Sequence, residues 1–268
     1  MARHHGSKRQ AAAAKEPPRT TAKRSREAKP VSASVASVQT DVRAFVRKFA
    51  GVGGNADADI VQALRRVVQG EAGDDLACCS ALRGFIKAYG VPRTFKGMRE
   101  DNVAPLLPIV KHLQRSWAAA GTFSLLRHCN GPAPINAAVR EVEALADACK
   151  AAGFARNISF ASKALNMLGL RVPLFSSECL AFLQLPRTAS YHAFVAKWMD
   201  KFGQVRAAYE AASSSCLVML REGRNGFARS DSGDDSIQEL GRELGPIWFA
   251  MRGFDATLLR VGGPMRKI

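Results

Sequence analysis

The sequence predicts an all-α, multi-helix globular domain behind a basic N-terminal arm. Three observations carry that prediction. Apolar residues recur at helical spacing over most of the chain after residue 39. Strand-like runs are confined to two short stretches, Val172 to Phe175 and Leu258 to Val261. No internal repeat of fixed period is present. With 268 residues, 47% of them hydrophobic, the chain can bury the core of one large domain or of two lobes sharing an interface.

Residues 1–39 are rich in Ala, Ser, Pro, Lys and Arg and contain no aromatic residue, so little apolar surface is available to offset the entropy of ordering. A disordered arm over 1–39 and a helical domain over 40–268 are therefore expected. The whole chain carries 39 Lys and Arg against 23 Asp and Glu, a formal charge of +16. The arm holds nine of those bases and two acids, or +7, which leaves +9 on the domain. A positive excess that survives removal of the arm points to a polyanion, nucleic acid or an anionic membrane surface, against the plainer reading of a basic proteome background. The cluster Lys23-Arg24-Ser25-Arg26 offers phosphate contacts or an address, and the acid-poor start also fits a transit peptide; a solvated tail is the simplest reading.

In the domain, Thr40 is placed to cap a first helix whose Val42, Phe45, Val46 and Phe49 form one stripe, with Arg43, Arg47 and Lys48 off it. The glycines from Gly51 to Gly54 stop that helix. No GK[ST] follows them and they trail a helix rather than a strand, so they do not read as a phosphate cradle. A second helix turns Ile60, Leu64, Val67 and Val68 inward and Arg65 and Arg66 outward. Further helices are expected over about 74–89, 103–117 and 135–149, the second with a near-heptad seam of Val103, Leu106, Val110, Leu113 and Trp117. After Gly153 come a short helix (ISFASKALNMLG), the link RVPLF, and another short helix from Ser176 or Ser177 to Pro186. From Ser190 a long helix sets Tyr191, Phe194, Val195, Trp198, Phe202, Val205 and Tyr209 on one face and Lys197, Lys201 and Gln204 on another. Ser236 and Glu239 form a capping box for a last helix, which Gly245-Pro246 should kink or split.

The six cysteines, at 78, 79, 129, 149, 179 and 216, include no CxxC pair, and the adjacent Cys78 and Cys79 suit neither an ordinary disulfide nor a zinc knuckle. Reduced, mostly buried thiols and an intracellular, soluble protein are expected, in nucleoid or nucleus if the arm is an address. No apolar run reaches the roughly 18 residues of a membrane span, and the start lacks the apolar core of a secretory signal. The five histidines form no metal motif, so neither a metal nor another cofactor is expected.

Three pairs combine side chains of catalytic type. His128 and Cys129 diverge by about 100° on a helix and would need partners from elsewhere. Glu143 and Asp147 lie one turn apart, with Arg140 and Lys150 at neutralising spacing. Ser159 and Lys163 also lie one turn apart, but without the SxxK spacing of an activated serine.

The stretch 138–183, a helix, the turn Gly153-Phe154-Ala155-Arg156, ISFASKALNMLG and RVPLFSSECLAFL, resembles the core of the helix-hairpin-helix DNA glycosylase superfamily. The resemblance implies a hairpin that offers backbone amides to a DNA phosphate, followed by a helix that starts after a Val-Pro dipeptide, here Val172-Pro173. It departs at the hairpin, which has one glycine for two, near Ser159, where the family has lysine, and at Ser176 or Ser177, where the family has its catalytic Asp. It therefore implies a DNA-binding scaffold without glycosylase chemistry.

The first expectation is thus non-catalytic nucleic-acid binding through Arg43, Arg47, Lys48, Arg65, Arg66, Arg156, Lys163, Lys197 and Lys201, weakening with salt. The second is an enzyme acting on a nucleobase or nucleotide, with a pocket around residues 153–180. The third is a protein-interaction module that docks a partner on the Tyr191 to Tyr209 stripe.

Overall fold

A computed structural model describes residues 35–51, 57–89, 95, 102–119, 132–222 and 234–262; the basic cluster at 23–26, His128 and Cys129 lie outside the described residues. The domain is all-α, and among the described residues no strand forms.

Helix α1 spans Val35–Phe49 and so begins five residues before Thr40. Val38 extends the buried stripe of Val42, Phe45, Val46 and Phe49 by one turn. The Thr40 hydroxyl, inside the helix, donates to the Ala36 carbonyl at 2.9 Å instead of capping. Gly51, at φ 77°, ends the helix in the left-handed region. Helix α2 (Asp57–Gln69) opens with Asp57 and Asp59 against its positive N-terminal end and buries Val61, Leu64, Val67 and Val68. Helix α3 (Asp75–Ala88) is capped by Asp74, whose carboxylate accepts from the Ala77 N–H at 2.8 Å. The helix predicted from Val103 starts later: Pro105 and Pro108 fit an early turn, so a 3-10 turn over Ala104–Leu106 leads into α4 (Leu107–Ala118).

Helix α5 (Pro132–Ala151) is followed by α6 (Ile158–Met167), capped by Asn157, and α7 (Ser177–Phe182), capped by Ser176. Helix α7 stops four residues short of Pro186, and Gln184 takes φ 57° just beyond it. Helix α8 (Tyr191–Arg221) starts at the predicted cap, with Ser190 Oγ accepting from the Ala193 N–H at 3.1 Å. Helix α9 (Asp234–Gly262) begins ahead of Ser236, which therefore lies inside its first turn. It is broken at Gly245 (φ 73°, ψ 166°) before Pro246, as that dipeptide predicts.

Helices α2, α3, α4 and α5 pack in succession, with α6 against α5, while α1 packs with α8 and α9, and α7 lies on α9. The first helix thus belongs with the last ones. The junction between the two groups carries specific bonds: Trp248 Nε1 donates to the Asn166 carbonyl at 2.8 Å, and Tyr191 Oη donates to the Pro173 carbonyl at 2.8 Å. Helices α1 and α9 run antiparallel. Phe49 meets Trp248 and Phe249, whereas Asp41, two turns earlier, meets Thr257 and Arg260.

Candidate functional site

The nine cations singled out from the sequence do not converge on one patch. Arg43, Arg47, Arg66 and Lys197 are exposed and Lys201 is half-buried. Arg43 lies beside Cys216 near the end of α8, while Lys197 is in its second turn, about 28 Å away along the axis at 1.5 Å per residue. Three others are engaged within the fold. Arg65, predicted to point outward, is mostly buried and pairs with Glu243 of α9. Arg156 Nε reaches Asp147 Oδ1 at 2.5 Å and ties the α5–α6 turn. Lys163 is largely buried; its ammonium donates to the Tyr89 carbonyl at 3.2 Å and makes no bond to Ser159. Burial lowers the Lys163 pKa, as does the nearby Arg252 charge, against an opposing pull from Glu178.

The serines around which a pocket was expected have structural work. Ser176 Oγ accepts from the Cys179 N–H at 3.1 Å as the cap of α7. Ser162 Oγ accepts from the Phe175 N–H at 3.1 Å and donates to the Ser159 carbonyl at 3.2 Å. A cavity edged by charged side chains lies elsewhere. It has a volume of about 310 Å³ and is walled by α1, the first residue of α2 and the last turns of α9, and no residue of 153–180 lines it.

That cavity follows from helical spacing. Asp41, Ala44, Phe45 and Lys48 form one face of α1, and Arg252, Ala256, Leu259 and Arg260 one face of α9. Asp57 closes it from the start of α2. At the rim, Arg260 Nη2 pairs with Asp41 Oδ2 at 2.8 Å and Lys48 Nζ with Asp57 Oδ1 at 3.3 Å. At the floor, the Arg252 guanidinium lies 5.0 Å from the centre of the Phe45 ring, with only 8% of its side chain exposed. Arg252 Nε and Asp57 Oδ2 are buried with no hydrogen-bond partner.

Behind Arg252 lies Asp255, fully buried. Its Oδ1 accepts from Trp198 Nε1 at 2.9 Å, and the Leu174 N–H supports the carboxylate, while its Oδ2 is 3.8 Å from Arg252 Nη1 and has no hydrogen bond. Burial pushes the Asp255 carboxyl up to about 7, outweighing the opposing effect of Arg252 and of the two donors. Burial also raises the Tyr89 hydroxyl, with Arg252 opposing and Asp57 adding to the rise. The sequence did carry a signal for this junction: Arg252 and Asp255 sit three apart in a helix otherwise lined by Trp248, Phe249, Phe254 and Leu258 on its buried sides.

The stripe proposed as a docking groove is core. Tyr191, Phe194, Val195, Trp198, Phe202 and Tyr209 are buried and Val205 is half-buried, so almost all of this stripe is taken up by the core. Cys78, Cys79, Cys149, Cys179 and Cys216 are buried free thiols, and burial pushes Cys149 and Cys179 up to about 12. Among the described residues no group of His, Cys, Asp and Glu gathers as a metal site, and no helix is long and apolar enough to cross a membrane.

Fold and site together define an all-α protein with a mostly apolar cavity, edged by charged side chains, beside the packing of its first and last helices. Comparison with protein-family models, with curated proteins and with solved structures finds no match for the chain.

Proposed function

We propose that this protein binds nucleic acid without catalysis, through phosphate contacts spread over exposed cations rather than through one base-reading cleft. The observation that carries the reading is the charge of +9 on residues 40–268, together with Arg47, Arg66 and Lys197, which stand exposed and in no ion pair among the described residues. The arm over 1–39 adds +7. Arg65, Arg156 and Lys163 leave the set, because each is committed to an internal partner. The resemblance to the helix-hairpin-helix core covers the α5–α6 turn, where Gly153 takes φ 87°, but the Gly153 and Phe154 N–H groups donate to the Lys150 and Cys149 carbonyls at 3.0 Å and so are not offered to a phosphate. A non-catalytic role is favoured because Ser176, at the family's Asp position, serves as a helix cap.

The test is a salt series of the full chain on labelled single- and double-stranded DNA and RNA. The logarithm of affinity should fall linearly with the logarithm of salt, and the triple variant Arg47→Glu, Arg66→Glu, Lys197→Glu should flatten the slope by about 0.7–0.9 for each phosphate contact removed. Salt-independent binding, or none, would reduce the charge to background.

A further inference from the structure

We propose that the solvent-facing side of α8 is the contact through which two copies of this chain pair as a two-fold, antiparallel dimer. The inference goes beyond the nucleic-acid reading and stands without it. Helix α8 has 31 residues, a rod of about 46 Å at 1.5 Å per residue. Its inner side holds Phe194, Trp198, Phe202 and Tyr209 in the core. On the opposite side Asp200, Gly203, Ala207, Ser214, Val218 and Arg221 are all exposed, and no described helix covers them. These six are the residues of 197–222 that lie within about 30° of one line along the helix, at 100° per residue. Their spacings, 3, 4, 7, 4 and 3, read the same in both directions about a centre between Glu210 and Ala211.

Turned about a two-fold axis at that centre, the face matches itself. Asp200 meets Arg221 of the second copy, Gly203 meets its Val218 and Ala207 its Ser214, and each pair occurs twice. The two ends of the line are opposite in charge, the residues between them are uncharged, and neither Asp200 nor Arg221 makes an ion pair among the described residues. Gly203 and Val218 carry the same pairing independently of charge. A glycine inside a helix is destabilising relative to alanine. A Cβ on Gly203 would meet nothing within 4 Å, so the packing of one copy does not call for the glycine. Val218 is among the few large apolar side chains left in solvent, 47% exposed. The two-fold pairing seats this side chain over that glycine, and the short side chains between the ends allow the helix axes to approach to about 8–10 Å. The charge of +9 on residues 40–268 opposes association and one helix face is a small interface, so the dimer is reversible and forms at high protein concentration.

The test is sedimentation velocity of the full chain over about a hundredfold range of concentration, where a shift from monomer to dimer is the expected result. Asp200→Arg and Arg221→Asp each set like charges opposite one another twice in the dimer. Either should weaken association at least about tenfold, and the two together should restore it, which a merely structural defect in each would not do. Gly203→Leu separates pairing from folding: it should weaken association while raising the thermal stability of the dilute protein, because leucine is the better helix former. Ala207→Cys combined with Ser214→Cys should give a disulfide-linked dimer on mild oxidation far more readily than either substitution alone, since the pairing sets these positions against each other and neither against itself. A full chain that stays monomeric across the range would overturn the proposal. So would a dimer that tolerates Asp200→Arg, Arg221→Asp and Gly203→Leu alike, or one that the paired cysteines fail to link.

Discussion

The interior of the α1–α8–α9 bundle and the junction where α9 faces α2 are equally buried and differently built. In the bundle, Trp198 packs at a tilt against Phe202, ring centres 4.8 Å apart, and meets the edge of Phe254 at 5.1 Å. Several of its polar side chains are bonded to one another, although Ser213 Oγ of α8 is buried without a partner. Tyr209 Oη bonds Thr257 Oγ1 at 2.7 Å, which donates to Asp41 Oδ2 at 2.8 Å, where Arg260 completes the chain at the surface. At the junction, Arg252, Asp57 and Asp255 each hold a buried atom without a bond. An unsatisfied buried polar group costs about 1–3 kcal/mol, and more when charged.

The comparison can be broken from either side. Trp198→Ala should have the largest effect, a loss of about 3–5 kcal/mol in chemical denaturation, because it opens the aromatic cluster and also removes a donor from Asp255. The next effect reads the junction. Asp255 has a carboxyl near 7 in the folded protein against an ordinary 3.8, so the folded state binds more protons than the unfolded one between those values. Stability should therefore fall as pH rises from about 4 to 7, by up to about 1.4 kcal/mol per unit, and flatten above. Asp255→Asn should remove that component from a series of melting temperatures against pH. Smallest, Gly253→Ala places a Cβ 2.8 Å from Val42 Cγ2 where α1 crosses α9, and should cost about 1–3 kcal/mol while leaving the pH profile unchanged.

Much of the fold was legible, because the helices carry their own stripes and four carry their own side-chain cap: Asp74, Asn157, Ser176 and Ser190 all cap as side chains of their type do. The errors fell where two local signals competed. Thr40 looked like a cap, but Val38 carried the stripe one turn further back. Ser236 and Glu239 had capping-box spacing, yet the helix starts ahead of them. The site was hardly legible. Periodicity places Arg65 on a face of α2 but cannot say that Glu243 of α9 comes to cover it. The cavity joins residues 41–57 to residues 252–260, a pairing that no local pattern contains.

The placement of α1 against α8 and α9 has a consequence for how the chain comes to be folded. During synthesis α1 emerges first, with Val38, Val42, Phe45 and Phe49 along one side, and both of its packing partners come from the far end of the chain. At 5–20 residues per second, roughly 10–40 s separate the appearance of α1 from that of the end of α9. The α2–α5 helices can assemble in that interval, whereas the apolar side of α1 stays at least partly uncovered until α8 and then α9 follow. A stalled or C-terminally shortened chain would therefore display that stripe, making the first helix the natural point of chaperone capture or aggregation.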